Sequence, residues 1–297
     1  MRYRASTPHQ INHGEKSLRE RTVVNVYSWN PLRIESAGNS RFRLPTLRRP
    51  NNSGDTLGPL IVRKVAERNG IQNLGSGSGR LLSVGSVLHF AKSGDTIWGT
   101  GLNGKIHPSR HDCRDLDVRA VRGPRTAKFL TDRGVSCPEV YGDPVLLLPT
   151  LVPELRVWAK EPKRYPLTVI PDFNEHAQFL ESKEIDGRDV ISPRRPVLEC
   201  LERIARSEFV AGSSLHAVVV AESLGIPARV IHSRHEPELK NRDYFEGTGR
   251  FDVEIADSLR TARAMGGASQ VEWDGMRLLH AFPTDLWLGQ TDDPCST

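Results

Sequence analysis

Short β-branched or apolar runs alternate along this chain with stretches whose apolar residues recur at helical spacing. The clearest case lies between Glu208 and Pro227. Phe209 to Ala211 reads as a short buried strand and Gly212 as its turn. Ser213 or Ser214 then stands where a helix over Leu215 to Leu224 needs an N-cap. That helix is apolar nearly all round, so the pattern predicts an element packed inside a domain. Gly225 at its end and Pro227 beyond it predict its stop.

The rest of the chain follows the same rhythm. Thr22 to Ser28 predicts a first strand, and Asn30 to Pro50, rich in Arg, Pro, Ser and Asn, a long loop. A helix is predicted from Thr56 to Asn69, with Asp55 before or in its first turn and Gly70 at its end. Strands are predicted over 81–87, 96–101 and 116–121, the last leading through Pro124 into a helix to about Asp132. A strand and a sharp turn close this half at Glu139 to Pro144. Prolines at 149, 153, 162 and 166, without clear periodicity, mark a linker. Beyond it, strands are predicted over 167–170, 189–191 and 229–232 and helices over 174–182 and 196–206. The polar segment Lys240 to Arg250 reads as a lid or acceptor-binding loop, and 274–288 as a last helix.

This alternation implies an α/β fold with parallel sheets and helices on both faces. The expected layout is a polar basic tail over 1–20, a first domain over 21–149, a linker over 150–166 and a second domain over 167–297, whose last helix can cross back. Ligands of such folds bind beyond the carboxyl ends of the strands.

Composition narrows the function classes. Of 297 residues, 37% are hydrophobic and 26% charged, as in a soluble globular protein long enough for two cores. No apolar run reaches the length of a membrane span, and Met1 to Gln10 lacks the apolar core of a secretory signal. The net charge of +5 is uneven: residues 1–50 carry +7 and the remainder −2. A nucleic-acid binder is not expected from that distribution. A basic arm meeting anionic lipid, or the pyrophosphate of a lipid-linked sugar, fits it, as does a solvated tail. Cys113, Cys137, Cys200 and Cys295 stand apart without metal-ligand spacing, so no metal is expected and a reducing cytoplasm is the simple inference.

The candidate chemistry gathers at strand-to-helix switches. His216 falls in the first turn of the predicted apolar helix, beside unpaired N–H groups that favour a phosphate or carboxylate. Arg122 ends a strand where its guanidinium could grip an anion in bidentate fashion, or serve as a surface charge. Gly99, Gly101 and Asn103 stand at a strand's end, where small residues admit a ligand or serve only a turn. Asp143 could orient Arg122 or a ligand hydroxyl, or make an Asx turn before Pro144.

Ser213-Ser-Leu-His216, the apolar helix and Ala221-Glu222-Ser-Leu-Gly-Ile-Pro227 together resemble the signature of the polysaccharide pyruvyltransferase family. Asn52, Gly54 and Asp55 match the family's turn after the first strand, and Asp143-Pro144 its Asp-Pro pair. Gly85 to His89, Trp98 to Gly101, Asp243-Tyr244-Phe245 and Gly247 to Gly249 are similar to the branch that includes succinoglycan pyruvyltransferases. One departure stands out: the family's Arg-Asp with a Ser four residues after the Arg is here Arg122-Gly123 with Thr126.

The resemblance covers roughly residues 50 to 290. It implies two Rossmann-like domains facing a cleft, similar to GT-B glycosyltransferases. It also implies transfer of pyruvate from phosphoenolpyruvate onto two hydroxyls of a sugar in a surface-glycan precursor, the acceptor being lipid-linked. The donor is a substrate and no cofactor is implied. On this reading His216 and Arg122 are catalytic, and Arg122, Ser213, Ser214, Leu215 and His216 hold phosphoenolpyruvate. Asn52, Gly54, Asp55, Gly99, Gly101, Asn103, Asp143, Glu222, Asp243 and Tyr244 then line the cleft or acceptor side. A glycosyltransferase of the same shape using a nucleotide sugar is the alternative, followed by an inactive glycan-binding relative.

Overall fold

The alternation resolves into two all-parallel sheets. A computed structural model describes residues 24–29, 33–36, 45–48, 53–54, 56–73, 77–112, 114–182 and 185–288. The first sheet joins β1 (Asn25–Tyr27), β4 (Arg80–Leu82), β5 (Asp95–Trp98) and β6 (Leu116–Ala120), side by side in chain order. The second joins β7 (Thr168–Val169), β8 (Val210–Gly212) and β9 (Ala228–Val230), again in chain order. Of the crossovers between parallel strands, α1 (Leu57–Arg68) joins β1 to β4, α5 (His176–Glu181) and α6 (Val197–Ala205) join β7 to β8, and α7 (Leu215–Ser223) joins β8 to β9; 3-10 turns lie between β4, β5 and β6, and α2 (Pro124–Thr131) follows β6.

Several local expectations hold for physical reasons. Gly70 adopts φ 77° at the end of α1, where Ile71 N–H bonds to Ala66 O at 3.0 Å and Gly70 N–H to Glu67 O at 3.1 Å, a Schellman closure. Gly225, at φ 71°, ends α7 in the same way. Pro124 opens α2 at a position that needs no N–H donor.

Others need correction. The stretch expected as a long loop holds an antiparallel pair, β2 (Arg33–Ser36) and β3 (Pro45–Arg48). The proline-marked stretch after residue 147 is helical, as α3 (Leu148–Leu151) and α4 (Pro153–Lys160). Pro149 and Pro153 fall in first turns, where proline is tolerated, so they punctuate helices rather than replace them. The segment expected as a polar lid is α8 (Leu239–Gly247), with Lys240, Asn241, Asp243, Tyr244 and Phe245 buried. Its polar sequence misled because its polar groups are paired inside the protein. α9 (Leu259–Met265) was not foreseen, and the last helix is split into α10 (Gly275–His280) and α11 (Asp285–Leu288).

α7 touches both halves. It packs on β8, β9 and α6, and also on α3 and the 3-10 turn Pro144–Leu147. Val218, Val219 and Val220 are poor helix formers, but all three are buried, each burial contributing about 1.5–3 kcal/mol. Tertiary packing thus fixes this helix, and one apolar cluster runs from Leu57 and Ile61 through Leu147 and Val219 to Leu278 and Trp287. The end of the described chain returns to the first sheet. There Trp98 Nε1 donates to Leu278 O at 2.9 Å, and the Trp98 and Phe282 rings meet edge to face.

Candidate active site

The turn after β8 is forced by its backbone. Gly212 has φ 151°, and a Cβ there would lie 2.0 Å from Ile170 O, so the chain passes β7 too closely for any side chain. Ser214 follows as the N-cap of α7, and its N–H is spent on Ile170 O at 3.2 Å. Leu215 and His216 then open the helix at the positive end of its dipole.

A cavity of about 250 Å³ lies in front of this helix start. Its walls come from segments that follow strands of both sheets: Ser86 to Phe90 after β4, Asn103 and Lys105 after β5, Asp172 to Asn174 after β7, Ser214 to His216 after β8, and Glu236 after β9. Lys240, at the start of α8, Pro193, before α6, and Trp29, just past β1, also line it. This is the strand-end position that a parallel α/β fold offers a ligand. Trp29 and Phe173 meet edge to face at 6.0 Å and give one wall an aromatic surface.

His216 is the focus of the cavity. Its Nε2 faces Asp143 Oδ2 at 3.8 Å, too long for a hydrogen bond, and neither buried atom has a hydrogen-bond partner. Asp143 Oδ1 accepts Val145 N–H at 3.0 Å, the Asx arrangement that starts the 3-10 turn. Burial raises the Asp143 carboxyl to about 6, opposed by the Val145 hydrogen bond and the Arg122 charge. Burial and then the charges of Arg122 and Lys240 push the His216 imidazole down to about 3, so it is neutral near pH 7 in the empty cavity. Gly54 lies against the ring: a Cβ there would be 2.6 Å from His216 Nδ1.

Arg122 stands at the strand-to-helix switch that the sequence predicts, between β6 and α2, but its side chain turns inward. It is fully buried and absent from the cavity wall. Nε donates to Asp243 Oδ2 at 3.1 Å, Nη1 to Ser86 Oγ at 2.7 Å and Nη2 to Leu102 O at 2.8 Å. With its donors engaged internally it cannot clamp an anion in this conformation. It acts one residue back, by holding Ser86 at the cavity and by its charge. The departure at Gly123 has its explanation here. α8 packs so closely that a Cβ at 123 would lie 1.8 Å from Asp243 O. Asp243 supplies the carboxylate beside Arg122 and also accepts from Thr126 N–H at 2.9 Å and Thr126 Oγ at 2.7 Å.

Other expected cleft residues also turn inward. Gly99 packs on Pro144 and Gly101 on the Arg122 guanidinium, so both glycines admit internal groups rather than a ligand. Tyr244, fully buried, donates to Glu222 Oε2 at 2.6 Å, and Glu222 is ion-paired with Arg250 at 2.9 Å. Ser213 is buried, its hydroxyl accepting from Asp172 N–H at 2.8 Å and donating to Glu175. Asn103, Ser214, Leu215 and His216 do line the cavity. Asn52, Asp55 and the basic tail lie outside the described residues.

The sequence reading missed the cavity's charged ladder. Lys240 Nζ lies 3.2 Å from Asp172 Oδ2 and 3.4 Å from Glu236 Oε2, and Lys105 is ion-paired with Glu236. It also missed Glu175, a buried carboxylate that accepts from Ser213, from Ser233 Oγ at 2.8 Å and from Arg234 N–H at 2.9 Å. Glu175 thereby ties the loops after β7, β8 and β9 into one frame. Their positions just past predicted strand ends were the available signal for Asp172 and Ser233. Among the described residues, no group of three or more His, Cys, Asp and Glu is placed to hold a metal ion.

Residues 69–234 match the family described as polysaccharide pyruvyl transferase. The chain belongs to that family. It is also 27% identical over 161 residues to the succinoglycan biosynthesis protein ExoV of Rhizobium meliloti (strain 1021), an alignment covering 52% of this chain and 49% of that protein. The chain thus matches about half the length of this curated relative. No solved structure matches it. The family match spans β4 to β9 and so includes His216, Asp143, Arg122 and most of the cavity wall; Glu236, Lys240 and Asp243 lie beyond it.

Proposed function

We propose that this protein transfers pyruvate from phosphoenolpyruvate to two hydroxyls of a saccharide, forming a ketal and releasing phosphate. Membership of the family supports the reaction class. The single observation that carries the assignment to this cavity is His216, set at a helix N-terminus, backed by the unpartnered Oδ2 of Asp143 and sharing the cavity wall with Lys105 and Lys240.

The donor brings a carboxylate and a phosphate, so the site must neutralise two anions and deliver one proton. The first turn of α7 supplies positive potential, and Lys240 and Lys105, each ion-paired at the cavity, are the cations a donor can draw on. Burial first, and then the charges of Arg122 and Lys240, keep the imidazole neutral, and an entering anion opposes the second of these causes. His216 then gains a proton on donor binding and gives it to the methylene carbon of phosphoenolpyruvate. Asp143 stands behind Nε2 to stabilise the imidazolium. The first hydroxyl adds to the neighbouring carbon, and the second displaces phosphate. The aromatic wall of Trp29 and Phe173 and the amide of Asn103 suit a sugar ring with its apolar faces and polar rim.

A lipid-linked oligosaccharide is the acceptor we favour, and two facing Rossmann-like units in a GT-B-like arrangement are the architecture. The test uses carbon-labelled phosphoenolpyruvate with lipid-linked oligosaccharides extracted from an exopolysaccharide-producing bacterium. Label entering the lipid fraction with equimolar phosphate release supports the reading. Release of phosphate with no label transferred would sink it.

A further inference from the structure

Within the same cavity two carboxylates, Asp172 and Glu236, have no part in the chemistry so far, and Glu236 is the one paired with both lysines. Glu236 has a side chain only 6% exposed, lines the cavity with His216, and is paired with both Lys105 and Lys240. Lys240 is paired with Asp172 as well. Two lysines therefore meet two carboxylates, in a neutral ladder running from the loop after β5 to the loops after β7 and β9.

A neutral ladder is a poor receptor for a donor whose phosphate alone carries roughly −1.5 to −2. Phosphoenolpyruvate must compete with Glu236 and Asp172 for the lysines. When it succeeds, Glu236 loses its two ion-pair partners, within a cavity that already holds the acid. We propose that Glu236 takes the proton of the attacking sugar hydroxyl, and that its pairing with Lys105 and Lys240 keeps it occupied until the donor's phosphate claims those lysines. The inference rests on the pyruvyl-transfer reading.

The first step balances without any further reactant. The hydroxyl O–H bond breaks and its proton goes to Glu236. The oxygen's electron pair forms the bond to the phosphate-bearing carbon. The double-bond pair takes a proton from the His216 imidazolium at the methylene, leaving a methyl group, neutral His216 and protonated Glu236. Donor binding thus arms acid and base together, and an unfilled site has neither.

The outcome to measure is unusual for a catalytic residue: removing it should tighten donor binding. Calorimetric titration of phosphoenolpyruvate, without acceptor, compares the wild type with Glu236→Gln. The Gln variant is expected to bind about 5–10-fold tighter, and to turn over about 100-fold more slowly or worse. Glu236→Asp, which keeps the charge, is expected to recover at least about tenfold of the lost turnover. A Gln variant that binds the donor no tighter, or turns over within about twofold of wild type, overturns the proposal, as does an Asp variant with no recovery. Failure of the wild type itself to bind phosphoenolpyruvate would instead remove the donor assignment on which the proposal stands.

Discussion

Asp243 sits beside Arg122, with Nε and Oδ2 3.1 Å apart and both side chains fully buried, although 121 residues separate them in the chain. The carboxylate that the family pattern places next to the arginine arrives here from α8. Gly123 leaves the room that α8 needs. Asp243 also binds Thr126 and so joins α2 to α8, while Arg122 reaches on to Ser86 at the cavity.

Removing one member of this pair is therefore expected to be costly. Asp243→Ala leaves a buried guanidinium uncompensated, which costs about 3–5 kcal/mol. Denaturant unfolding should show that loss. Gly123→Asp, which restores the usual family sequence, is expected to destabilise rather than to help, because its Cβ collides with the Asp243 carbonyl. A Gly123→Asp protein of unchanged stability would contradict this packing.

The buried Asp143 carboxyl costs the fold stability at neutral pH. It is raised from the usual 3.8 to about 6, so the folded state holds its proton more tightly than the unfolded chain. Stability from this group is present below pH 4 and lost as pH rises through 6. Asp143→Asn escapes that loss. Its thermal midpoint should match wild type near pH 4 and exceed it above pH 6, by an amount corresponding to about 2–3 kcal/mol. Its turnover should fall by about 100-fold or more.

Donor binding should consume protons. His216 is held down to about 3 by burial and the neighbouring cations, and an anion in the cavity raises it. Titrating phosphoenolpyruvate in buffers of different ionisation heat should reveal net uptake near pH 7, and affinity that weakens as pH rises. Release of protons, or no exchange, would place His216 outside the donor's field.

His216→Ala is expected to abolish turnover while leaving the fold intact, since Nε2, the ring nitrogen that faces Asp143, has no hydrogen-bond partner to lose. Gly54→Ala probes the same ring without removing it. Its Cβ would stand 2.6 Å from Nδ1 and should lower turnover by displacing the imidazole. Steady-state rates with both substrates saturating separate the two effects from binding.

How much of this was legible in the sequence depended on the range of the interactions. α7, its start at Ser214 and its stop at Gly225 were readable because helix boundaries and periodicity are local, although the Ser214 side chain makes no capping hydrogen bond. The parallel sheets followed from the alternation of strands and helices. His216 could be placed at a helix start from four residues. Arg122 could not be assigned its partner, because Asp243, Ser86 and Leu102 reach it from three distant segments. For the same reason α8 read as a lid: buried polar side chains look like solvated ones until their partners are known. Lys105 and Lys240 carried no motif, and only the closing of the cavity brings them together.

The most direct test of the pyruvyl-transfer assignment is the thermal midpoint of the purified protein with phosphoenolpyruvate, compared with nucleoside diphosphates and nucleotide sugars. A ligand that binds only the folded state raises the midpoint by mass action. The predicted result is a shift with phosphoenolpyruvate alone, reduced in Lys240→Ala. A shift with a nucleotide and none with phosphoenolpyruvate would contradict it, and His216 and Lys240 would become contacts to a pyrophosphate.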